Sequence, residues 1–114
     1  MRLTPIHFHI LLAVADGPVH GYAIKQEVEQ RTEGRVSLGP GSLYWAINKL
    51  ADAGLLEEAP SPTTRSAGPS RRYFTLSEAG RARLEDEVDV LADIVRLART
   101  KQLGKRLGKR ASEA

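Results

Sequence analysis

The stretch GPGSLYWAINKLADAGLLEE, which runs from Gly39 to Glu58, contains the pattern that decides the fold. It opens with glycine and proline, and it then places apolar residues at helical spacing until Gly54. Because proline is favoured at the first helical position and glycine just after the last, the stretch predicts a helix that begins near Pro40. The residues expected on its inner side are Leu43, Ile47, Leu50 and Ala51.

The outer side of this predicted helix combines polar groups with a large aromatic side chain. A tryptophan such as Trp45 is seldom left in water without a reason. In the DNA major groove, which admits one α-helix, Asn48 is suited to pair with adenine and Lys49 with guanine or phosphate. The pattern therefore favours a DNA-recognition helix. The alternative is an ordinary amphipathic helix with a solvated face, on which Trp45 packs against a neighbour.

The first turn of the same helix is suited to bind phosphate. We expect free backbone N–H groups at Gly41, Ser42 and Leu43, and such groups at a helix N-terminus attract anions. Gly41 has no side chain to hold the backbone away from DNA, and the Ser42 hydroxyl can bond a phosphate or a base edge. Tyr44 is expected to reach the sugar-phosphate backbone.

The remaining elements predict a mainly α fold with a small β-hairpin. Thr4 and Pro5 predict the start of a first helix, and a second helix is expected over 20–32. Two extended runs, 55–58 and 72–76, flank a loop rich in proline, serine and glycine, which indicates a hairpin with a long tip. Three helices, a hairpin wing and a long last helix make a winged helix-turn-helix with a C-terminal dimerisation helix.

The predicted wing carries three arginines, Arg65, Arg71 and Arg72, and its loop contains no acidic residue from 60 to 70. Arginines on a projecting loop can enter the DNA minor groove or contact the backbone beside it. The alternative is a surface loop whose arginines only keep the protein soluble.

The long last helix contains a heptad-like apolar seam with spacings of four, three, four and three. We expect two copies of the chain to pair along it, because nothing else in 114 residues can cover so wide a stripe. The alternative is a seam that packs within one chain. The domains predicted are a DNA-binding domain at 1–76, a dimerisation helix at 77–103 and a basic tail at 104–114. The seam consists of Leu84, Val88, Leu91, Val95 and Ala98.

Composition excludes several other classes of protein. The chain has no cysteine and a net charge of +3, which argues against thiolate sites and weakly favours polyanions. His7 and His9 would point in opposite directions on a helix, so no metal site is expected. No nucleophile elbow or phosphate loop is present, so no enzyme and no cofactor are expected. Two histidines interrupt the apolar run at 6–15, and no run is long enough for a membrane span, so we expect a cytoplasmic protein without membrane contact.

Three segments together resemble the PadR family of bacterial transcriptional regulators. They are LTPIHFHILLAVADGPVHGYAIKQEVEQ, LGPGSLYWAINKLADAGLL and RRYFTLSEAGRARL, within 3–84. The resemblance implies a winged-helix homodimer that binds an inverted-repeat operator in double-stranded DNA, usually as a repressor, with the recognition helix at 40–49. Some members of the family bind flat aromatic drugs or phenolic acids between the subunits, which raises a small aromatic effector as a further partner, although this role does not carry over cleanly. This last helix, however, lacks the tryptophan that stacks the ligand in drug-binding relatives.

Two other functions remain compatible with the residues. One is a winged-helix module that binds proteins and never touches DNA, and the other is a sensor that sequesters a small molecule. Binding to a promoter fragment at two salt concentrations separates the first from the DNA-binding hypothesis. Titration with planar aromatics, followed by the fluorescence of Trp45, tests the second.

Overall fold

The computed structural model describes residues 1–61 and 72–104, and apart from one short additional strand between the first two helices it has the order of elements that the sequence predicts. Three helices precede a β-hairpin, and a long helix follows, so the winged-helix fold class is confirmed. The elements are α1 (Pro5–Ala13), β1 (Val19–His20), α2 (Gly21–Arg31), α3 (Pro40–Asp52), β2 (Leu56–Ala59), β3 (Tyr73–Leu76) and α4 (Glu78–Thr100).

The first two helices begin at side chains that cap them. The Thr4 hydroxyl accepts from the His7 N–H at 3.3 Å, and His7 Nδ1 accepts from the Thr4 N–H at 3.1 Å. This reciprocal capping box usually has Glu or Gln where His7 stands. His20 Nδ1 caps α2 by accepting from the Ala23 N–H at 3.2 Å. The predicted start of α1 at Thr4 and Pro5 is therefore confirmed.

The sheet has three antiparallel strands in the order β1-β3-β2, which corrects the predicted two-stranded hairpin. Val19 pairs with Phe74, and His20 pairs with Tyr73. On the other side of β3, Leu56 pairs with Leu76. β1 has only two residues, so no alternation of polar and apolar side chains marks it in the sequence. Its pairing depends on where α1 and α2 place it.

One apolar core holds α1, α2, α3 and the sheet together. The inner face of α3 is confirmed at Leu43, Ile47 and Leu50, whereas Ala51 is exposed and Ala46 is buried instead. The largest fully buried side chains are Phe74, Ile10, Leu11, Ile24, Leu43, Ile47, Leu50, Val14 and Val28.

The chain divides into two compact units, of which the first is Met1–Leu84 and the second begins at Glu85. The first unit therefore extends past the predicted boundary at residue 76, because the start of α4 is fixed to it. Ser77 Oγ accepts from the Gly80 N–H at 2.9 Å, as expected of a cap, and donates to the Gly54 carbonyl at 2.5 Å. A Cβ on Gly80 would overlap the Leu55 carbonyl oxygen, so the two backbones are in direct contact.

The predicted seam of α4 is corrected at its first position. Leu84 is only 5% exposed and belongs to the core of its own chain, because the first turns of α4 pack within the Met1–Leu84 unit. Val88, Leu91 and Val95 are exposed, and Ala98 is half-buried. Within 1–61 and 72–104, no helix combines the length and the apolar character that a membrane span needs.

Candidate nucleic-acid interface

The N-terminus of α3 presents unpaired backbone donors on the protein surface. Gly39 stands at the N-cap and has no side chain to cap the helix, and Pro40 has no N–H. The Leu43 N–H donates to the Gly39 carbonyl at 2.9 Å, so the predicted set of three free N–H groups is corrected to two. The N–H groups of Gly41 and Ser42 have no acceptor among the described residues and remain available to an anion.

Gly41 is not required by the packing of its own chain. It is exposed, it lies within the helix, and a Cβ added to it would meet no atom within 4 Å. Glycine within a helix is less favourable than alanine by about 1 kcal/mol. Here it leaves the backbone of the first turn open to close approach by a ligand.

The outer face of α3 carries most of the side chains that were predicted from the sequence to contact DNA. Ser42, Trp45, Asn48 and Lys49 are exposed, and Trp45 is 63% exposed. Lys49 Nζ lies 4.8 Å from the centroid of the Trp45 ring, a cation–π contact between residues four apart on the helix. The contact brings the ammonium group of Lys49 to the indole on the same exposed face.

Tyr44 differs from the others because it is half-buried and packs against the core. A Cβ on Gly21 would lie 2.5 Å from the Tyr44 hydroxyl, so the phenol occupies the space above the first residue of α2. Tyr44 therefore fixes α3 against α2. Its predicted contact with the sugar-phosphate backbone stays a prediction, and it has to be made by an edge of a ring that already packs on the core.

Of the three predicted wing arginines, the structure describes Arg72. Its guanidinium donates to Glu58 Oε1 from Nη2 at 3.0 Å and from Nε at 3.3 Å, and it lies 5.2 Å from the Phe74 ring. These hydrogen bonds lower the pKa of Glu58 and raise the pKa of Arg72. Both side chains are exposed, so the ion pair is weak and the Arg72 guanidinium remains accessible to a phosphate. Arg65 and Arg71 lie outside the described residues.

The wing and the helices are connected through β1, which the sequence did not reveal. The rings of His20 and Tyr73 meet edge to face, with centroids 5.5 Å apart and planes at 86°. Tyr44 of α3 also lies near the Arg72 guanidinium. The base of the wing is therefore positioned beside α3. Glycine in the motif His20-Gly21-Tyr22 was visible in the sequence, but its contact with Tyr44 was not.

The histidines of α1 have separate structural roles. His7 caps the helix, and His9 Nδ1 lies 3.2 Å from Arg31 Nη1, which also donates to the His9 carbonyl at 3.1 Å. Burial lowers the pKa of both histidines, and the nearby cations Lys49 and Arg31 lower it further for His7 and His9 respectively. Within the described part of the chain, no group of three or more His, Asp or Glu side chains could hold a metal ion.

A family model and a curated relative both identify this chain as similar to transcriptional regulators. Residues 10–86 match the model of the transcriptional regulator PadR-like family. The chain is 35% identical over 91 residues to the transcriptional regulator Rv3488 of Mycobacterium tuberculosis, a match that covers 80% of this chain and 79% of that protein. It is 39% identical over 92 residues to a 37.1 kDa protein in transposon TN4556 of Streptomyces fradiae. That second match covers 81% of this chain but only 24% of the longer protein.

The fold is also similar to that of a solved regulator. The crystal structure of Bacillus subtilis PadR in complex with operator DNA superposes with a TM-score of 0.63 at 21% sequence identity. The match covers 75% of this chain and 47% of that one. At this level of identity the similarity concerns the fold, and the contacts of α3 have to be argued from the residues of this chain.

Proposed function

This chain belongs to the PadR-like family of transcriptional regulators, and from that premise we propose that it is a homodimeric repressor that binds an inverted-repeat operator. The observation that carries the proposal is the exposed face of α3. There, two unpaired N–H groups, a hydroxyl, an amide, an ammonium group and an indole share one surface. A transcriptional regulator needs no catalytic motif, and the sequence contains neither a nucleophile elbow nor a phosphate loop.

In the proposed complex, α3 lies in the major groove. The N–H groups of Gly41 and Ser42 bind a phosphate, and the Ser42 hydroxyl adds a further bond. Asn48 and Lys49 reach base edges, where each good bidentate contact discriminates by about 1–3 kcal/mol. Trp45 holds the Lys49 ammonium over its ring and offers its indole edge to the sugar or to a thymine methyl.

The wing is proposed to contact DNA beside α3. Arg72 exchanges one of its bonds to Glu58 for a phosphate oxygen. Arg65 and Arg71, which lie outside the described residues, are proposed from the sequence alone to contact DNA as well. Arginines favour narrow, electronegative minor grooves, so the wing would add affinity at A·T-rich flanks. The bound relative from Bacillus subtilis, solved with operator DNA, supports this general use of the fold.

The second copy is proposed to cover α4. Six large apolar side chains on this helix are exposed, which is far more than a lone helix keeps in water. A two-fold dimer matches an inverted-repeat operator, in which the half-sites of such regulators lie about 34 Å, or one turn of B-DNA, apart. The exposed residues are Val88, Val90, Leu91, Ile94, Val95 and Leu97.

A small effector that lowers DNA affinity is part of the proposal, and the protein is proposed to act in the cytoplasm, where bacterial DNA lies. The structure favours DNA as the target over a protein partner because the face of α3 is rich in hydrogen-bond donors and contains only one large apolar side chain.

The test is fluorescence anisotropy of a labelled promoter fragment from the protein's own locus, measured at 50 and 200 mM salt. We expect preference over scrambled DNA and an affinity that falls steeply with salt, because each neutralised phosphate adds roughly 0.9 to the log–log slope. Absence of binding at low salt would contradict the proposal and favour a protein-binding module.

A further inference from the structure

A groove of about 580 Å³ opens within the Met1–Leu84 unit, between the N-terminal ends of α1 and α3. Sites for small molecules commonly have volumes of about 300–1,000 Å³ and mostly apolar walls with a few placed polar groups. This groove has both properties. Its apolar walls are Ile6, Leu38, Trp45 and Ala46, and its polar groups include His7 and Ser42.

His7 supplies a hydrogen-bond donor without a partner. Its side chain is only 9% exposed, and Nδ1 accepts from the Thr4 N–H, so the proton of the neutral imidazole is on Nε2. Nε2 has no acceptor among the described residues, yet it is not sealed from solvent, and His7 lines the groove. Burial, and then Lys49, lower the pKa of His7, which keeps the imidazole neutral at physiological pH.

The edge of the groove near α3 has positive character. The unpaired N–H groups of Gly41 and Ser42 lie at the helix N-terminus, and the Lys49 ammonium sits over the Trp45 ring. A buried neutral donor, an indole wall and a nearby positive edge together suit a molecule with an apolar body and one anionic oxygen group.

We propose that this groove binds a small carboxylate with an apolar body, and that the bound molecule excludes DNA from α3. The body lies against Trp45, and the carboxylate accepts from His7 Nε2–H. The second half of this proposal rests on the proposed DNA binding. Gly41, Ser42 and Trp45 belong to both surfaces, so a ligand in the groove blocks and repels a phosphate at the start of α3.

This site differs from the effector site that the family resemblance implies. The implied site lies between subunits, whereas every residue that lines this groove belongs to one chain and to one compact unit. The missing tryptophan on the last helix and the exposed Trp45 on α3 agree with a change of site.

The probe for the first half is 2-naphthoate, with uncharged 2-naphthamide as its matched control, added to the full-length protein. The chain has one tryptophan, so one indole N–H signal in the NMR spectrum reports on Trp45. We expect saturable shifts of this signal and of the His7 ring, with the amide at least about tenfold weaker. Equal binding of the two probes, shifts confined to α4, or a groove covered by the second copy and closed to both probes would overturn the proposal.

Two variants of His7 separate its donor from its cap. His7→Glu restores the usual Thr-x-x-Glu capping box but removes the donor and adds a negative charge, so naphthoate binding should fall more than about tenfold. His7→Gln keeps a cap and a donor, and its binding should stay within about threefold of wild type. Ile6→Trp, which fills the groove without touching the cap, should also abolish binding. Unchanged binding in His7→Glu and Ile6→Trp would overturn the assignment.

The DNA half is tested by adding naphthoate to the complex with labelled promoter DNA. Release of DNA at the concentration that saturates the indole shift supports the proposal, and Ile6→Trp should make release insensitive to the probe. Saturated shifts without release would overturn the competition. If the protein binds no promoter DNA even without probe, the proposed function fails, while the indole shifts still decide whether the groove binds a carboxylate.

Discussion

The α3 and α4 helices both expose large apolar side chains, but the chemistry around those side chains is opposite. On α3, Trp45 stands alone among hydrogen-bonding groups, and the Lys49 ammonium lies over its ring. On α4, exposed apolar residues recur over several turns, including Val88, Leu91 and Val95. The difference teaches that exposed apolar surface does not by itself identify a partner. A single aromatic among donors suits DNA, whereas a continuous apolar stripe suits a second protein chain.

One glycine in each helix, Gly41 in α3 and Gly80 in α4, shows a second difference between them, in how closely other atoms approach the backbone. Gly80 in α4 is in contact with the Leu55 carbonyl, so the fold itself excludes a larger residue there. Gly41 in α3 has nothing within 4 Å of an added Cβ, so the fold leaves the residue unconstrained. Because packing does not require a glycine at position 41, the close approach of a ligand to the backbone is the better explanation for Gly41.

The largest expected effect is on assembly through α4. Val88→Asp combined with Leu91→Asp should convert the proposed dimer to monomers and raise its dissociation constant more than about a thousandfold, or about 4 kcal/mol, because unpaired carboxylates are costly to bury. Sedimentation velocity measures this. Arg96→Asp, which adds an acid at an exposed position of α4 outside the apolar stripe, should remain dimeric. A double variant that sediments like wild type would show that the stripe has another partner.

The next effect separates the two glycines. Gly80→Ala should lower the free energy of unfolding by about 3 kcal/mol, because the added methyl group overlaps backbone that cannot move aside easily. Gly41→Ala should leave that free energy unchanged or raise it by up to about 1 kcal/mol, as expected for alanine in a helix.

Urea unfolding monitored by circular dichroism gives both values, and anisotropy gives the second half of the contrast. Gly41→Ala should bind promoter DNA more weakly although it is the more stable protein. If Gly41→Ala binds as tightly as wild type, the backbone of the first turn of α3 does not approach DNA closely.

Removing a polar side chain of α3 should change the free energy of DNA binding by no more than Gly80→Ala changes the free energy of unfolding. Asn48→Ala and Lys49→Ala should each weaken promoter binding by about 1–3 kcal/mol if the side chain reads a base, without altering the proposed dimer. If Lys49 contacts only phosphate, its removal should instead reduce the salt slope by about 1. Arg96→Ala, which also removes one exposed positive charge, serves as the control. Equal losses in all three variants would mean that net charge, not the face of α3, governs binding.

The smallest effect is a dependence of stability on pH through His7. Its pKa is lowered in the folded protein, chiefly by burial and also by Lys49, so folding favours the neutral ring. The stabilisation is fully present above the unfolded pKa of about 6.5 and is lost as pH falls through the folded pKa. Protonation also removes the acceptor that caps α1. Wild type should therefore lose more stability than His7→Gln from pH 7 to pH 5.5, by thermal unfolding.

Much of the fold could be predicted because local chemistry agrees with the final packing. Thr4-Pro5 starts α1, Gly39-Pro40 starts α3, and Ser77 caps α4, in each case with a bond or geometry that the residue type favours on its own. The inner face of α3 follows from helical spacing at Leu43, Ile47 and Leu50. These signals are contained within a few residues of sequence.

The features that could not be predicted depend on contacts between distant residues. β1 is two residues long and exists because it meets β3. Helical spacing predicted that Tyr44 points outward. In the structure its ring packs above Gly21, where the missing Cβ leaves space for the phenol. Leu84 continues the heptad pattern of α4, but the contact of Gly80 with Leu55 draws the first turns of that helix into the core. The spacing of apolar residues along a helix does not indicate which turns of that helix pack against another element.

The proposed function requires that the outer face of α3 binds DNA while the apolar stripe on α4 binds a second chain. The most direct measurement is an NMR titration of the wild-type protein with its promoter fragment. We expect shifts of the Gly41, Ser42 and Lys49 amides and of the Trp45 indole, with the signals of Val88 and Leu91 unchanged. Shifts at Val88 and Leu91, with the signals of α3 unmoved, would contradict it.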